Sequence, residues 1–189
     1  MDSNTSSGNP LFSGRFVVPS VVATHFQLRP GDKVADFGAG SGYFLETLSK
    51  LVGDEGSVYA CEIQKQLVEK IGDLVRLKNL SNVDPLWSDV EEIEGTKIPT
   101  GILDAGILVN SLFQFEQKEI ALQEIFRTLR NGGKLFVIDW ANSFSGMGPQ
   151  ADQVVDKDEA MALCETAGLV LEREFDAGDH HYGLAFRKP

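Results

Sequence analysis

The sequence predicts an α/β fold: a seven-stranded, mostly parallel sheet with an antiparallel last strand and helices on both faces. Three observations carry that expectation. From residue 34 onward, short apolar runs alternate with amphipathic stretches, the pattern of repeated strand and helix units. The run Lys134 to Trp140 contains a continuous Leu-Phe-Val-Ile core, as a strand buried on both faces requires. The last two apolar runs are separated by Ala177, Gly178 and Asp179, a linker short enough only for an antiparallel hairpin.

Residues 1 to 18, which begin rich in Ser, Asn and Gly, are expected to form a flexible N-terminal segment or lid, and residues 19 to 189 the domain. Pro19 opens a short helix that ends before Pro30 and Gly31. Val34 to Phe37 is the first strand and Ser41 to Val52 the first long helix. Val58 to Ile63 is the second strand, followed by helical spacing through Leu67, Val68, Ile71, Leu74, Val75 and Leu77. Val83 to Trp87 and Ile102 to Val109 give the third and fourth strands. A helix from Gln117 to Leu129 stops at Asn131, Gly132 and Gly133 before the fifth strand, Lys134 to Trp140. A loop from Ala141 to Gln150, a second candidate lid, leads to a helix near Asp158 to Ala167 and then the hairpin of Val170 to Phe175 and His181 to Arg187.

Composition narrows the function. A chain of 189 residues fits one globular domain. Its 17 Lys and Arg against 28 Asp and Glu give a formal charge of −11, which repels a nucleic-acid backbone at long range. Cys61 and Cys164 lie far apart without zinc-ligand spacing, so they read as small core residues and no metal site is expected. The N-terminus has neither the basic start nor the apolar stretch of a secretory signal, and no apolar run nears the ~18 residues that span a bilayer. A cytoplasmic protein is the expectation.

The chemistry concentrates where strands end. Lys33 to Phe44 reads KVADFGAGSGYF, with Asp36 inside the strand and Gly38, Ala39, Gly40 and Gly42 in the turn. Such a strand, glycine turn and helix offers free backbone N–H groups and a positive helix end to a nucleotide-like ligand. Ligands of open α/β sheets bind beyond the carboxyl ends of the strands, which here carry Glu62, Asp89, Asn110 with Ser111, and Asp139 with Trp140. Glu62 stands where a carboxylate accepts from both ribose hydroxyls, and Asp89 suits the exocyclic amine of adenine or a simple cap. A nicotinamide dinucleotide fits less well, because Tyr43 replaces the third small residue of its fingerprint and no tyrosine has a lysine four residues later.

With these residues in place, the chain resembles the class I S-adenosylmethionine-dependent methyltransferases over residues 17 to 187. The carrying motifs are VADFGAGSG (34 to 42), the strand ending in Glu62, WSD (87 to 89), ILVNSLFQF (107 to 115) and LRNGGKLFVIDW (129 to 140). The resemblance is nearest to the small-molecule branch that includes ubiquinone/menaquinone biosynthesis methyltransferase-like proteins. It implies a Rossmann-like fold, S-adenosylmethionine as cofactor and a small-molecule acceptor. It also implies that Asp36 and the run Gly38 to Gly42 serve the amino-acid end of the cofactor and Glu62 the ribose. Ile63 would pack on adenine, Asp89 and the Val90 N–H would read its edge, and Asn110 would meet the methionine ammonium. A non-catalytic cofactor-binding module and a protein methyltransferase are the rival readings.

Candidates for handling an acceptor proton follow from the sheet edge. A reversed last strand begins where parallel strands end, so His180, His181 and Asp139 stand at the crevice rim. Trp140 and Phe12, Phe16, Phe113, Phe115 and Phe144 are candidate walls of an apolar acceptor pocket.

Overall fold

The computed structural model describes residues 17–144, 146 and 148–189. Phe12, Phe16 and nearly all of the proposed N-terminal lid lie outside the described residues. The described elements are α1 (Pro19–Val22), β1 (Lys33–Phe37), α2 (Leu45–Val52), β2 (Ser57–Glu62), α3 (Lys65–Lys78), β3 (Val83–Trp87), β4 (Leu103–Val109), α4 (Lys118–Thr128), β5 (Leu129–Trp140), α5 (Lys157–Thr166), β6 (Val170–Phe175) and β7 (His181–Arg187). The strands form one seven-stranded sheet in the order β3-β2-β1-β4-β5-β7-β6. All pairings are parallel except those of β7, which runs against both β5 and β6.

Burial explains the composition of the strands. On one face of the sheet, Val34, Ile107, Phe136 and Ile138 pack with Val22, Phe26, Leu45, Leu48 and Ile71 of the α1, α2 and α3 side. On the other, Ala35, Phe37, Leu108, Leu135 and Val137 pack with Ala121, Leu122 and Ile125 of α4 and with Ala160 and Cys164 of α5. The inner strands are sandwiched between these layers, so they carry apolar side chains on both faces. The edge strand β3 tolerates Pro85 because one side of its backbone has no neighbour to bond. Both cysteines are fully buried, and burial pushes each thiol up to about 12.

Two boundaries differ from the sequence reading. The first long helix begins at Leu45, not Ser41, because Gly40 and Gly42 hold φ of +57° and +83° and residues 41–44 continue the turn. The helix α4 passes directly into β5 at Leu129, and the Asn-Gly-Gly run that reads as a helix stop sits within β5 instead. Its register with β4 jumps from Leu103↔Leu129 to Ala105↔Lys134, so residues 130–133 bulge from the ladder.

Candidate functional site

The strand order reverses direction of travel at β1, where β2 leaves to one side and β4 to the other, and a crevice opens beyond their carboxyl ends. A cavity there is lined by Gly38 and Gly40 after β1, by Cys61, Glu62, Ile63, Gln64 and Leu67 from β2 into α3, by Ser88, Asp89, Val90 and Glu91 after β3, and by Ser111, Gln114 and Phe115 after β4. Of the expected cofactor residues, Gly38, Gly40, Glu62, Ile63, Asp89 and Val90 line it. Asp36, Ala39, Gly42 and Asn110 stand behind or beside it.

The glycine turn is tied to β2 more tightly than the sequence suggests. The Gly38 and Ala39 N–H groups donate to the Cys61 carbonyl (3.0 and 2.9 Å), the Gly40 N–H to Glu62 Oε2 (3.0 Å), and the Gly42 N–H to the Ala39 carbonyl (2.8 Å). The expectation that the turn offers these four N–H groups to a ligand is therefore corrected. Nor does a helix end point into the cavity at this turn, since α2 starts three residues past Gly42. Gly38 is needed for space: a Cβ on it would lie 2.6 Å from Ser111 Oγ.

Glu62 joins the turn to the next helix. Its buried carboxylate also accepts from the Gln64 N–H through Oε1 (2.8 Å), fixing the entry to α3. Asp36, one strand over, is buried without a hydrogen bond to its carboxyl among the described residues, and burial together with the Glu62 charge pushes it up to about 7. Asp89 Oδ1 accepts from the Glu91 N–H (2.8 Å), so the capping role weighed from sequence is present. A carboxylate has about four acceptor sites, and that bond uses one. The Val90 N–H meets no protein acceptor among the described residues. Ile63 is exposed at the cavity lip, with Leu67 and Phe115 also on the lining.

After β4 the chain turns sharply through Asn110, whose φ is +53°. Its backbone carbonyl accepts from Gln114 Nε2 (2.7 Å), while its side-chain Oδ1 is buried with no partner among the described residues. The turn that follows is held from below by Asp139. One oxygen of this buried carboxylate accepts from the Leu112 and Phe113 N–H groups (2.9 and 3.4 Å) and the other from the Trp140 N–H (2.8 Å). Burial pushes Asp139 up to about 6 despite those three bonds. Asp139 thus sits beneath the rim, not on the cavity wall.

The two histidines open β7 opposite the end of β5. His181 pairs in register with Trp140, and the two rings lie 4.3 Å apart. His180, at φ +65°, sets its Nδ1 3.0 Å from Asn142 Oδ1 and stacks on Phe144 at 3.8 Å. Neither lines the cavity between β1 and β3.

Cys61, Gln64, Ser88, Glu91, Ser111 and Gln114 are lining residues that the sequence reading did not assign to the cofactor. Ser111 and Gln114 belong to the 107 to 115 motif, which was the available signal.

The electrostatics of the lining are one-sided. Glu62, Asp89 and Glu91 contribute carboxylates, and the lining contains neither Lys nor Arg. With the turn N–H groups already paired, this cleft opposes a diphosphate and attracts a cation.

Comparison with known proteins agrees with this geometry. Residues 34–133, more than half of the chain, match the family described as a methyltransferase domain. The chain is 30% identical over 133 residues to the ubiquinone/menaquinone biosynthesis C-methyltransferase UbiE of Chromobacterium violaceum, covering 68% of this chain and 53% of that protein. With the UbiE of Vibrio campbellii it shares 30% over 114 residues, 60% of this chain and 43% of the relative. It therefore spans about half the length of these curated relatives. The crystal structure of a SAM-dependent methyltransferase from Aquifex aeolicus superposes with a TM-score of 0.83 at 28% identity, over 90% of this chain and 89% of that one. The chain belongs to the methyltransferase domain family, in its class I form with S-adenosylmethionine as cofactor.

Proposed function

We propose that the cleft holds S-adenosylmethionine and that the protein transfers its methyl group to a small-molecule acceptor by in-line displacement. The observation that carries this reading is the lining of carboxylates without a basic residue, which suits a ligand bearing a sulfonium and an ammonium. Glu62 spends one hydrogen bond per oxygen on the backbone and keeps acceptor capacity for both ribose hydroxyls. Ile63 packs on the adenine, and Asp89 with the free Val90 N–H reads its edge. The bare Gly38–Gly40 surface and the Ala39–Gly42 turn run along the amino-acid portion. Asp36 supports that portion from beneath, and the unpaired Asn110 Oδ1 accepts from its ammonium.

A sulfonium already carries its leaving group, so the protein's task is to align acceptor, methyl and sulfur and to exclude water. The named relatives act in ubiquinone and menaquinone biosynthesis, which supports a small molecule as acceptor here. The described residues contain no helix long and apolar enough to cross a membrane.

The test uses the purified protein with S-adenosylmethionine labelled in its methyl group, offered a small-metabolite extract and, separately, a protein fraction. Label in the small molecules, with an equal yield of S-adenosylhomocysteine, is the expected result. Label confined to proteins would overturn the small-molecule reading. Cofactor binding without product from either fraction would overturn the enzyme reading in favour of a binding module.

A further inference from the structure

At the rim beyond β5 three titratable groups meet, and only one keeps an uncommitted basic atom. Both oxygens of Asp139 accept backbone N–H groups, and His180 is committed to Asn142 and the Phe144 ring. His181 differs. Its Nδ1 lies 2.9 Å from the Asp179 carbonyl, which can only accept, so Nδ1 carries the proton and Nε2 the lone pair. That Nε2 is buried and has no partner among the described residues. A buried acceptor without a donor is costly to a fold and marks a position where a ligand's donor relieves it.

Position strengthens the case. β5 alone separates β7 from β4, so the His181 edge stands roughly 10 Å, two strand spacings, from the β4 end that carries Asn110. A flat one- or two-ring molecule fills that span. The Trp140 indole, 4.3 Å from the imidazole, offers it a stacking face, and movement of this indole is what exposes Nε2 to it.

We propose that His181 Nε2 is the general base for the methyl transfer and that the acceptor is a ring-borne hydroxyl of the phenol or enol kind. This rests on the methyl-transfer reading above. An amine brings its own free electron pair, whereas a neutral hydroxyl is a poor nucleophile that a neutral imidazole activates. In the step, the hydroxyl proton moves to Nε2 as the oxygen pair forms the new bond to the methyl carbon. The carbon–sulfur bond breaks with its electrons on sulfur, leaving a methyl ether, S-adenosylhomocysteine and a protonated His181. Burial lowers the His181 pKa and so does neighbouring His180, while the bond to the Asp179 carbonyl works the other way; Trp140 brings no charge. The imidazole is thus in its basic form at neutral pH.

The experiment compares the full chain with His181→Asn, whose Nδ2 keeps a donor for the Asp179 carbonyl but lacks the Nε2 lone pair. Catechol, 4-nitrophenol and aniline serve as probes, with S-adenosylhomocysteine titrated into each protein as the cofactor check; His181→Gln replaces the Asn variant should that one lose cofactor binding. The expected result is catechol methylation reduced about 100-fold or more in the variant. Its pH profile should lose the acidic limb, and 4-nitrophenol, which ionises near neutrality without help, should be affected at most a few-fold. Equal loss with both phenols would overturn the base role, as would an unchanged pH profile. Methylation of aniline alone, or of no probe by a wild type that binds S-adenosylhomocysteine, would overturn the acceptor class while leaving the cofactor reading intact. A wild type that does not bind S-adenosylhomocysteine would instead overturn the reading beneath both.

Discussion

Glu62 holds the glycine turn and the start of α3 together through its two oxygens, so the residue proposed to grip the ribose is fixed before any ligand arrives. Glu62→Ala is expected to weaken S-adenosylhomocysteine binding by about 1–3 kcal/mol, or about 5- to 150-fold, measured by calorimetric titration of a variant that still folds. Gly38 and Gly40 separate stability from binding. Gly38→Ala places a Cβ 2.6 Å from Ser111 Oγ at φ +78° and should cost about 1–3 kcal/mol of stability in urea unfolding. At Gly40 the nearest protein atom to a new Cβ is 4.0 Å away, so Gly40→Ala should reduce cofactor affinity more than it reduces stability. Equal and proportionate losses in both variants would remove Gly40 from the contact surface. At this scale the sequence was legible where a rule of placement existed: strand ends nominate Glu62 and Asp89. It was silent about Cys61 and Ser88, which reach the lining only through the paths of their own strands, and it misjudged the turn N–H groups. Whether those are free depends on a carboxylate 22 residues away on the next strand.

Among the elements, the short turn after β4 shows how the sheet builds its upper wall. Residues Leu112–Gln114 form one 3-10 turn, too short to hold itself, and Asp139 from β5 supplies the acceptor for its first N–H groups. Asp139→Ala leaves those groups and the Trp140 N–H without their partner. The expected cost is about 2–4 kcal/mol in unfolding free energy. A variant of full stability with abolished turnover would instead return Asp139 to the chemistry. Element types and order were readable from periodicity, because buried parallel strands and amphipathic helices leave distinct patterns. Boundaries were less so at two places, both glycine-rich: Gly40 and Gly42 delay α2, and the Asn131-Gly132-Gly133 run bulges within β5 when it reads locally as a helix stop. In each case the backbone freedom of glycine permits two outcomes, and pairing with a distant strand selects one.

Across the whole molecule, burial of acids beneath the cleft links stability to pH. Asp36 titrates at about 7 in the folded protein against 3.8 ordinarily, raised by burial and then by Glu62. A raised folded value favours the protonated form, so this contribution is fully present below pH 3.8 and is lost as pH climbs through about 7. Its full size is at most roughly 4 kcal/mol. Asp36→Asn cannot lose a proton. Thermal unfolding of both proteins between pH 4 and pH 8 should therefore show the variant gaining on the wild type as pH rises; a constant difference would mean that Asp36 is ionised throughout.

The central claim is that the cleft beyond β1, β2 and β4 receives a cationic adenosyl ligand on a carboxylate lining. Calorimetric titration of S-adenosylhomocysteine into the full chain tests it most directly. The account predicts saturable binding of one ligand per chain, with no competition from NAD. A folded protein that takes up no S-adenosylhomocysteine, or that gives it up to NAD, would contradict it.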